Sequence, residues 1–314
     1  MREAMARAGV DAIVLRPSPD YRFLGGHGGG YLVVTADALA HTADPAAFVP
    51  GDARRVGVDP EMRVRELFGL AVEAELVPAS SVLAPLRLRK EPDDLAGIER
   101  AVAAAESVLG QARELAWFGA TERAMARRLG LLLGESGCEE VLALGVAAGE
   151  HTASPAHAPS ERVINPGDAL TVSLCGRWGG YCAEVARVFA VAEPPDDFEA
   201  MYSVVLAAHD AGLSALRPGV PVSDVALAVR EVIDGSGYGR FAARHVGRGI
   251  GFGPDEGPRP GEDTVLAAAM TFCLEPAVHV PDLFGARLAD VVACTGGGPV
   301  TLGSAARTLH VLER

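Results

Sequence analysis

Along the first part of the chain, short apolar runs alternate with turn clusters. "DAIVL", "YLVVT", "RRVGVDP" and "AELVPASSVL" are separated by segments rich in Gly, Pro, Ser and Asp. Runs this short between such breakers predict strands, and helical spacing over 64–72 predicts a helix among them, which together read as a small α/β domain. The charged segment "LRLRKEPDD" closes that domain. Pro92 then stands in the first turn of a new helix, with Asp93 and Asp94 where the positive end of the helix dipole favours acids. The expected boundary gives domains 1–88 and 89–314.

The second domain begins helical. "LAGIERAVAAAESVLGQARELA" is an alanine-rich amphipathic helix, and "TERAMARRLGLLLGESG" is a second, capped by Thr121 and ended by glycine. Beyond Cys138 the pattern changes. "EEVLALGVAAG", "DALTVSLCGRWGGYCAEVARVFAV" and "MTFCLEPAVHV" predict strands, with two further helices over 200–215 and 222–234. No internal repeat at solenoid spacing is present. The middle strand segment reads as a hairpin turning at "RWGG". Pleat alternation sets Ser173 with Cys175, Cys182 with Glu184, and Cys273 with Glu275. A glutamate on an inward face is costly unless paired or functional, which singles out Glu184 and Glu275.

Composition narrows the classes. Hydrophobic residues make up 49% and charged residues 22%, the balance of a soluble enzyme rather than a membrane protein. A net charge of −13 argues against nucleic acid and anionic membrane as partners. The five cysteines, Cys138, Cys175, Cys182, Cys273 and Cys294, are odd in number and form no C-x-x-C pair, so reduced thiols in the cytoplasm are expected. No secretory leader is recognisable at the start of the sequence. "HVGRGIGFGPDEGP", over 245–258, has glycine at every second position from Gly247 to Gly253. It is not a phosphate loop: prolines follow where a helix should open, and the chain's single lysine, Lys90, lies elsewhere. Close approach of the backbone to a neighbour is the remaining cause.

Several segments, taken in order, resemble the pita-bread hydrolases, which comprise prolidase, aminopeptidase P, methionine aminopeptidase and creatinase. "FGATERAMARRL" is similar to the family's "pGvTE" helix, "AGEHTASPAHAPSERVINPGD" to its histidine-bearing loop, and "GDALTVSLCGRWGGYCAEVARVF" to its ligand hairpin. "GRGIGFGPDE" stands where the family has "GHGIGL…HE", "AMTFCLEPAV" where it has "GMVFTIEPGI", and "GARLAD" where it has "GVRIED". The resemblance implies an α+β fold: a C-terminal pita-bread domain after a short N-terminal α/β domain of the creatinase type. The family's metal ligands are Asp, Asp, His, Glu and Glu, and the matching positions here are Ser173, Glu184, Arg248, Glu275 and Ala289. A guanidinium has no lone pair to give a cation, so no metal and no cofactor are expected. The family's catalytic histidine falls on Ala156, or on His157 if the loop carries one deletion, and the histidine of the "HE" pair is Asp255.

Two readings follow. The first is a metal-independent enzyme, with creatinase as precedent, acting on a C–N bond of a small polar, carboxylate-bearing substrate. Arg248 would bind the carboxylate, Glu184 and Glu275 would be an acid/base pair, and His157 would shuttle protons. Tyr181, His245, Asp255, Ser173 and Arg287 complete the expected substrate contacts. The second reading is a non-catalytic pseudopeptidase that binds or scaffolds. The buried cysteines are expected to fill space where metal would otherwise sit. A homodimer is expected from the resemblance and from "YLVVT" as an exposed strand edge.

Overall fold

Ala12–Leu15 form strand β1, and all four residues are fully buried in this computed structural model, which describes residues 1–262 and 264–313. A strand buried on both faces needs cover on both. β1 is the middle strand of a five-stranded sheet of order β3-β2-β1-β4-β5, with β2 Tyr31–Thr35, β3 Leu39–Thr42, β4 Arg55–Val58 and β5 Glu75–Pro78. β2 runs antiparallel to it and β4 parallel. The accompanying helices are α1 (Arg2–Ala8), α2 (Pro19–Phe23), α3 (Val64–Gly69) and α4 (Ser80–Arg87). Ile13 and Leu15 pack with Met5, Tyr21 and Leu83 on one face, while Ala12 and Val14 pack with Val56, Met62 and Leu70 on the other. "YLVVT" is β2, paired with β1 on one side and β3 on the other. It is therefore not an exposed edge, and that part of the case for a homodimer falls away.

The unit Met1–Arg89 is followed by a second, Lys90–Arg314. Helix α5 (Pro92–Ala112) starts with a reciprocal cap between Glu91 and Asp94 and buries Ile98, Ala101, Val102, Ala105, Val108 and Leu109 at helical spacing. Those residues share a core with Leu170, Val172 and Leu174 of β7 (Ala169–Trp178) and Val185 and Phe189 of β8 (Tyr181–Val191). Helix α6 (Glu122–Glu135) is capped by Thr121, whose hydroxyl accepts from the Ala124 N–H at 3.2 Å. β7 and β8 form the long hairpin, closed by Gly179 and Gly180 at φ 54° and 84°, the conformation of a two-residue type I′ turn. With β6 (Glu140–Ala148) and β15 (His310–Leu312) they make a sheet of order β15-β8-β7-β6.

Helices α7 (Phe198–Ala215) and α8 (Val222–Gly235) precede β9 (Gly247–Gly249) and β10 (Thr271–Leu274). β11 (Ala277–Val280) pairs with β12 (Phe284–Arg287), and β13 (Asp290–Thr295) and β14 (Gly298–Thr301) complete a second sheet of order β14-β13-β10-β9. An antiparallel bridge between Ala186 and Ala289 ties the two four-stranded sheets of this unit together. Lys90 is buried against Glu256 at 2.8 Å, and each side chain is 1% exposed.

Asp290 anchors the sheet junction. Arg187 and Arg307 each reach it at 2.6 Å, and His209 lies 2.9 Å away. Burial pushes its carboxyl up, but His209 and the two guanidinium groups outweigh burial and hold it well below the usual carboxylate range. A carboxyl lowered in this way contributes stability that is complete above its unfolded value, near pH 4, and is lost as pH falls through the folded value. Asp290→Asn is therefore expected to cost about 3–5 kcal/mol at neutral pH. It should also flatten the acid limb of the stability curve, as read by denaturant melts between pH 3 and pH 7.

Candidate active site

Register brings the charged residues together. In the β7–β8 hairpin Cys175 faces Glu184 and Ser173 faces Ala186. Arg248 in β9 lies opposite Cys273 in β10, and the Glu275 N–H then donates to the Val246 carbonyl at 2.7 Å. Arg287 ends β12 opposite Ala277, two residues beyond Glu275. The glycines flanking Arg248 have a steric cause. A Cβ on Gly249 would overlap the Gly257 carbonyl, and one on Gly247 would overlap the Cys273 carbonyl and the Phe272 ring.

The result is a quartet of two acids and two bases. Arg248 Nη2 lies 2.5 Å from Glu184 Oε2, and its Nη1 contacts Glu275 Oε1. Arg287 Nη2 contacts both Glu184 Oε1 and Glu275 Oε2. Arg248 Nε donates to the Pro254 carbonyl at 2.7 Å, so all three of its nitrogens are engaged. Arg287 differs: among the described residues, its Nε and Nη1 have no partner. Burial pushes both carboxyls up. Around Glu184 the arginines prevail and hold it below its ordinary range, whereas burial and the charge of Glu184 raise Glu275. The glutamates expected to trade protons thus have all four oxygens committed to guanidinium groups.

A metal pair does not fit these residues. Glu184, Cys273 and Glu275 do bring ligand atoms close together. Two permanent cations stand among them, Ala289 has no donor atom, and burial pushes the thiols of Cys175 and Cys273 up, which keeps them protonated. All five cysteines are free.

Beside the quartet lies a cavity of about 60 Å³, lined in part by Arg287, Ser173, Thr171, Thr152, His157 and His279. Thr171 Oγ1 is buried without a hydrogen-bond partner among the described residues. His279 Nδ1 lies 3.1 Å from the Thr152 carbonyl; that oxygen can only accept, so Nδ1 carries the proton and Nε2 the lone pair. Burial lowers the pKa of His279, which favours the neutral ring. His157 Nε2 lies 2.8 Å from Glu122 Oε2. Its loop is braced by Arg162, which is bidentate to both Glu150 and Asp168 at 2.7–2.9 Å.

Of the residues expected to contact substrate, His157, Ser173 and Arg287 line this cavity, and Arg248 pairs with Glu184 and Glu275 without lining it. Three others do not belong to it. The Tyr181 hydroxyl donates to Asp94 at 2.8 Å and its ring sits tight against Gly97, so helix α5 holds it away from the cavity. Asp255 is exposed and paired with Arg259 at 2.8 Å, four residues along the chain. His245 is exposed on the segment before β9 and does not line the cavity. His279, Thr171 and Glu122 are not among the site residues expected from the sequence. Glu122 sits in the first turn of α6, where an acid is explained by the helix dipole alone; its full burial is a tertiary fact.

Comparison with known proteins locates this architecture. The profile described as metallopeptidase family M24 matches residues 96–296. The probable dipeptidase PepE of Mycobacterium tuberculosis is 33% identical over 239 residues, which are 75% of this chain and 64% of that protein. The match therefore spans less than two thirds of that relative. A crystal structure of a dipeptidase from Pyrococcus horikoshii OT3 superposes with a TM-score of 0.90 at 27% identity, covering 99% of this chain and 98% of the other. The Xaa-Pro dipeptidase from Bacillus anthracis reaches a TM-score of 0.91 at 23% identity over 99% and 98% of the two chains, a likeness of fold.

Removing Arg248 tests the quartet. In Arg248→Ala the two glutamates share one arginine, and their folded pKa values rise. A carboxyl whose folded value exceeds its unfolded one destabilises the fold above the unfolded value, with the full penalty above the folded value. The variant's deficit against wild type should thus grow from about pH 4 toward neutrality, to roughly 3–5 kcal/mol. Arg248→Lys should recover part of it. Thermal melts at stepped pH check this, and a deficit independent of pH would show that the arginine does not neutralise the pair.

Proposed function

This chain belongs to metallopeptidase family M24, and we propose that it uses the family's fold for a metal-independent cleavage of a C–N bond in a small, carboxylate-bearing substrate. The observation that supports the reading is the Glu184–Arg248–Glu275–Arg287 quartet, in which guanidinium groups, one of them at a position that the resemblance matches to a metal ligand, pair with both glutamates. Relatives named as dipeptidases support C–N bond hydrolysis as the reaction class.

Each residue then has a role. Glu184 and Glu275 hold Arg287 in place through its Nη2, and its uncommitted Nη1 donates to the substrate carboxylate. His157 Nδ1 accepts a proton from water as the water oxygen bonds to the carbon of the scissile C–N bond. The imidazolium gives that proton to the departing nitrogen as the C–N bond breaks. The hydroxyls of Thr171 and Ser173 hydrogen-bond the oxygen on which charge develops. Arg248 is structural in this scheme, and the substrate-binding role passes to Arg287.

A second reading, a non-catalytic binder, is favoured by one observation: the charges of the quartet already cancel, and all four carboxylate oxygens are already paired. Purified, chelator-treated protein assayed on a panel of small N-acyl, lactam and amidine carboxylates separates the two. Turnover that survives chelation and is lost in Arg287→Ala and His157→Ala supports the enzyme; saturable binding without turnover supports the binder. Wild type is expected to hold no stoichiometric manganese or cobalt and to gain no activity from either. The variant Ser173→Asp, Glu184→Asp, Arg248→His, Ala289→Glu restores the family's ligand types, and it should gain cobalt binding by calorimetry. Stoichiometric metal in wild type whose removal abolishes activity would overturn the proposal.

A further inference from the structure

Glu122 is a buried acid to which the scheme above gives no role. It opens α6 and is 0% exposed. Its carboxylate accepts from the Ala148 N–H at 2.8 Å, the Ser160 N–H at 3.0 Å and the Ser160 hydroxyl at 2.7 Å. On the same two oxygens stand His157 Nε2 at 2.8 Å and His151 Nδ1 at 3.0 Å. The rings of His151 and His157 lie 4.2 Å apart, tilted by 34°. His151 Nε2 also faces Glu150 at 3.9 Å, and Glu150 is itself held by Arg162.

We propose that Glu122 is a positioning residue that fixes His157 in its Nε2–H tautomer and so presents the Nδ1 lone pair to the cavity. The inference deepens, and rests on, the acid/base role given to His157. The physical ground is that a carboxylate only accepts. Burial and the hydrogen bonds from Ser160, His157 and Ala148 act on Glu122 in opposite senses, and the bonds prevail: its carboxyl lies below the ordinary range and stays ionised at neutral pH. An imidazole nitrogen 2.8 Å from that oxygen therefore carries hydrogen, and a neutral ring has only one such hydrogen to place. With Nε2–H committed to Glu122, Nδ1 is left as the base. The ring of His151 and the bonds from Ser160 and Ala148 keep the carboxylate from turning away.

An amide at this position brings two N–H groups into a cluster of donors. The substitution Glu122→Gln would set one of them against Ala148, Ser160 or an imidazole, and the clash at His157 is relieved if its proton moves to Nδ1. The same type of swap beside the imidazole of a serine protease keeps the geometry yet lowers kcat about 10⁴-fold through the wrong tautomer.

The test is ¹⁵N NMR of histidine-labelled full-length protein, with the His157 signal identified by its loss in His157→Ala. Wild type should show Nε2 protonated and Nδ1 bare. Glu122→Gln should shift the population to Nδ1–H, with kcat at least about 100-fold lower and KM within a few-fold. His151→Ala should leave the His157 tautomer unchanged. An Nδ1–H tautomer in wild type, or an unchanged Nε2–H tautomer in Glu122→Gln, overturns the proposal. If Glu122→Gln does not fold, the wild-type spectrum decides alone. The expected tautomer in a wild-type protein without turnover counts against the catalytic reading and leaves the positioning role standing, so the two failures are distinguishable.

Discussion

Two carboxylates buried side by side cannot stand without counter-charge, and that constraint organises the second unit. Glu184 and Glu275 have side chains 5% and 11% exposed, close enough for one to raise the pKa of the other. In a metallopeptidase of this family the counter-charge is expected to be divalent cations. Here two guanidinium groups supply it, and the sum of charges is zero. Ser173 and Ala289, which the resemblance matches to two further ligand positions, carry no charge, and an acid at either would leave the quartet negative.

The backbone around the quartet is shaped by close packing. The residues flanking Arg248 lie against backbone carbonyls and an aromatic ring, where a Cβ finds no room. The alternating glycines of β9 meet that need: the chain runs against the Gly257 carbonyl and the Phe272 ring while Arg248 extends to both glutamates. The histidine-bearing loop is stiffened by other means. Arg162 ties its two ends through Glu150 and Asp168, which keeps the imidazoles near the cavity without a single β-strand in the segment.

Much of this was legible in the sequence, unevenly. Helices α5 to α8 declare themselves by spacing and caps, and the β7–β8 hairpin by alternation and a Gly-Gly turn. β12 and β13 do not: "FGARLADVVACT" is buried on both faces, so it shows neither helical nor alternating period. β9 has three residues, two of them glycine, too few for any pattern. At the site, Glu184, Arg248 and Glu275 follow from position in the motifs, and their mutual pairing from charge. Tyr181, His245 and Asp255 were drawn in by nearness in sequence to those motifs, but pleat direction and local partners send them elsewhere. His279 and Thr171 needed the fold, because only strand register shows which alternate residue meets the cavity.

The buried pair of Lys90 and Glu256 carries a practical meaning of another kind. Among 314 residues there is one lysine, and its side chain is 1% exposed against a carboxylate 2.8 Å away. An acylating reagent meets no lysine amine on the surface of the folded chain. The ε-amine can react only when the chain around it opens, so covalent tagging at Lys90 counts opening events one molecule at a time. By the same token, enzymes that tag surface lysines find no acceptor on the native fold, and the marks that usually direct a damaged protein to disposal can be placed on this side chain only after unfolding has exposed it.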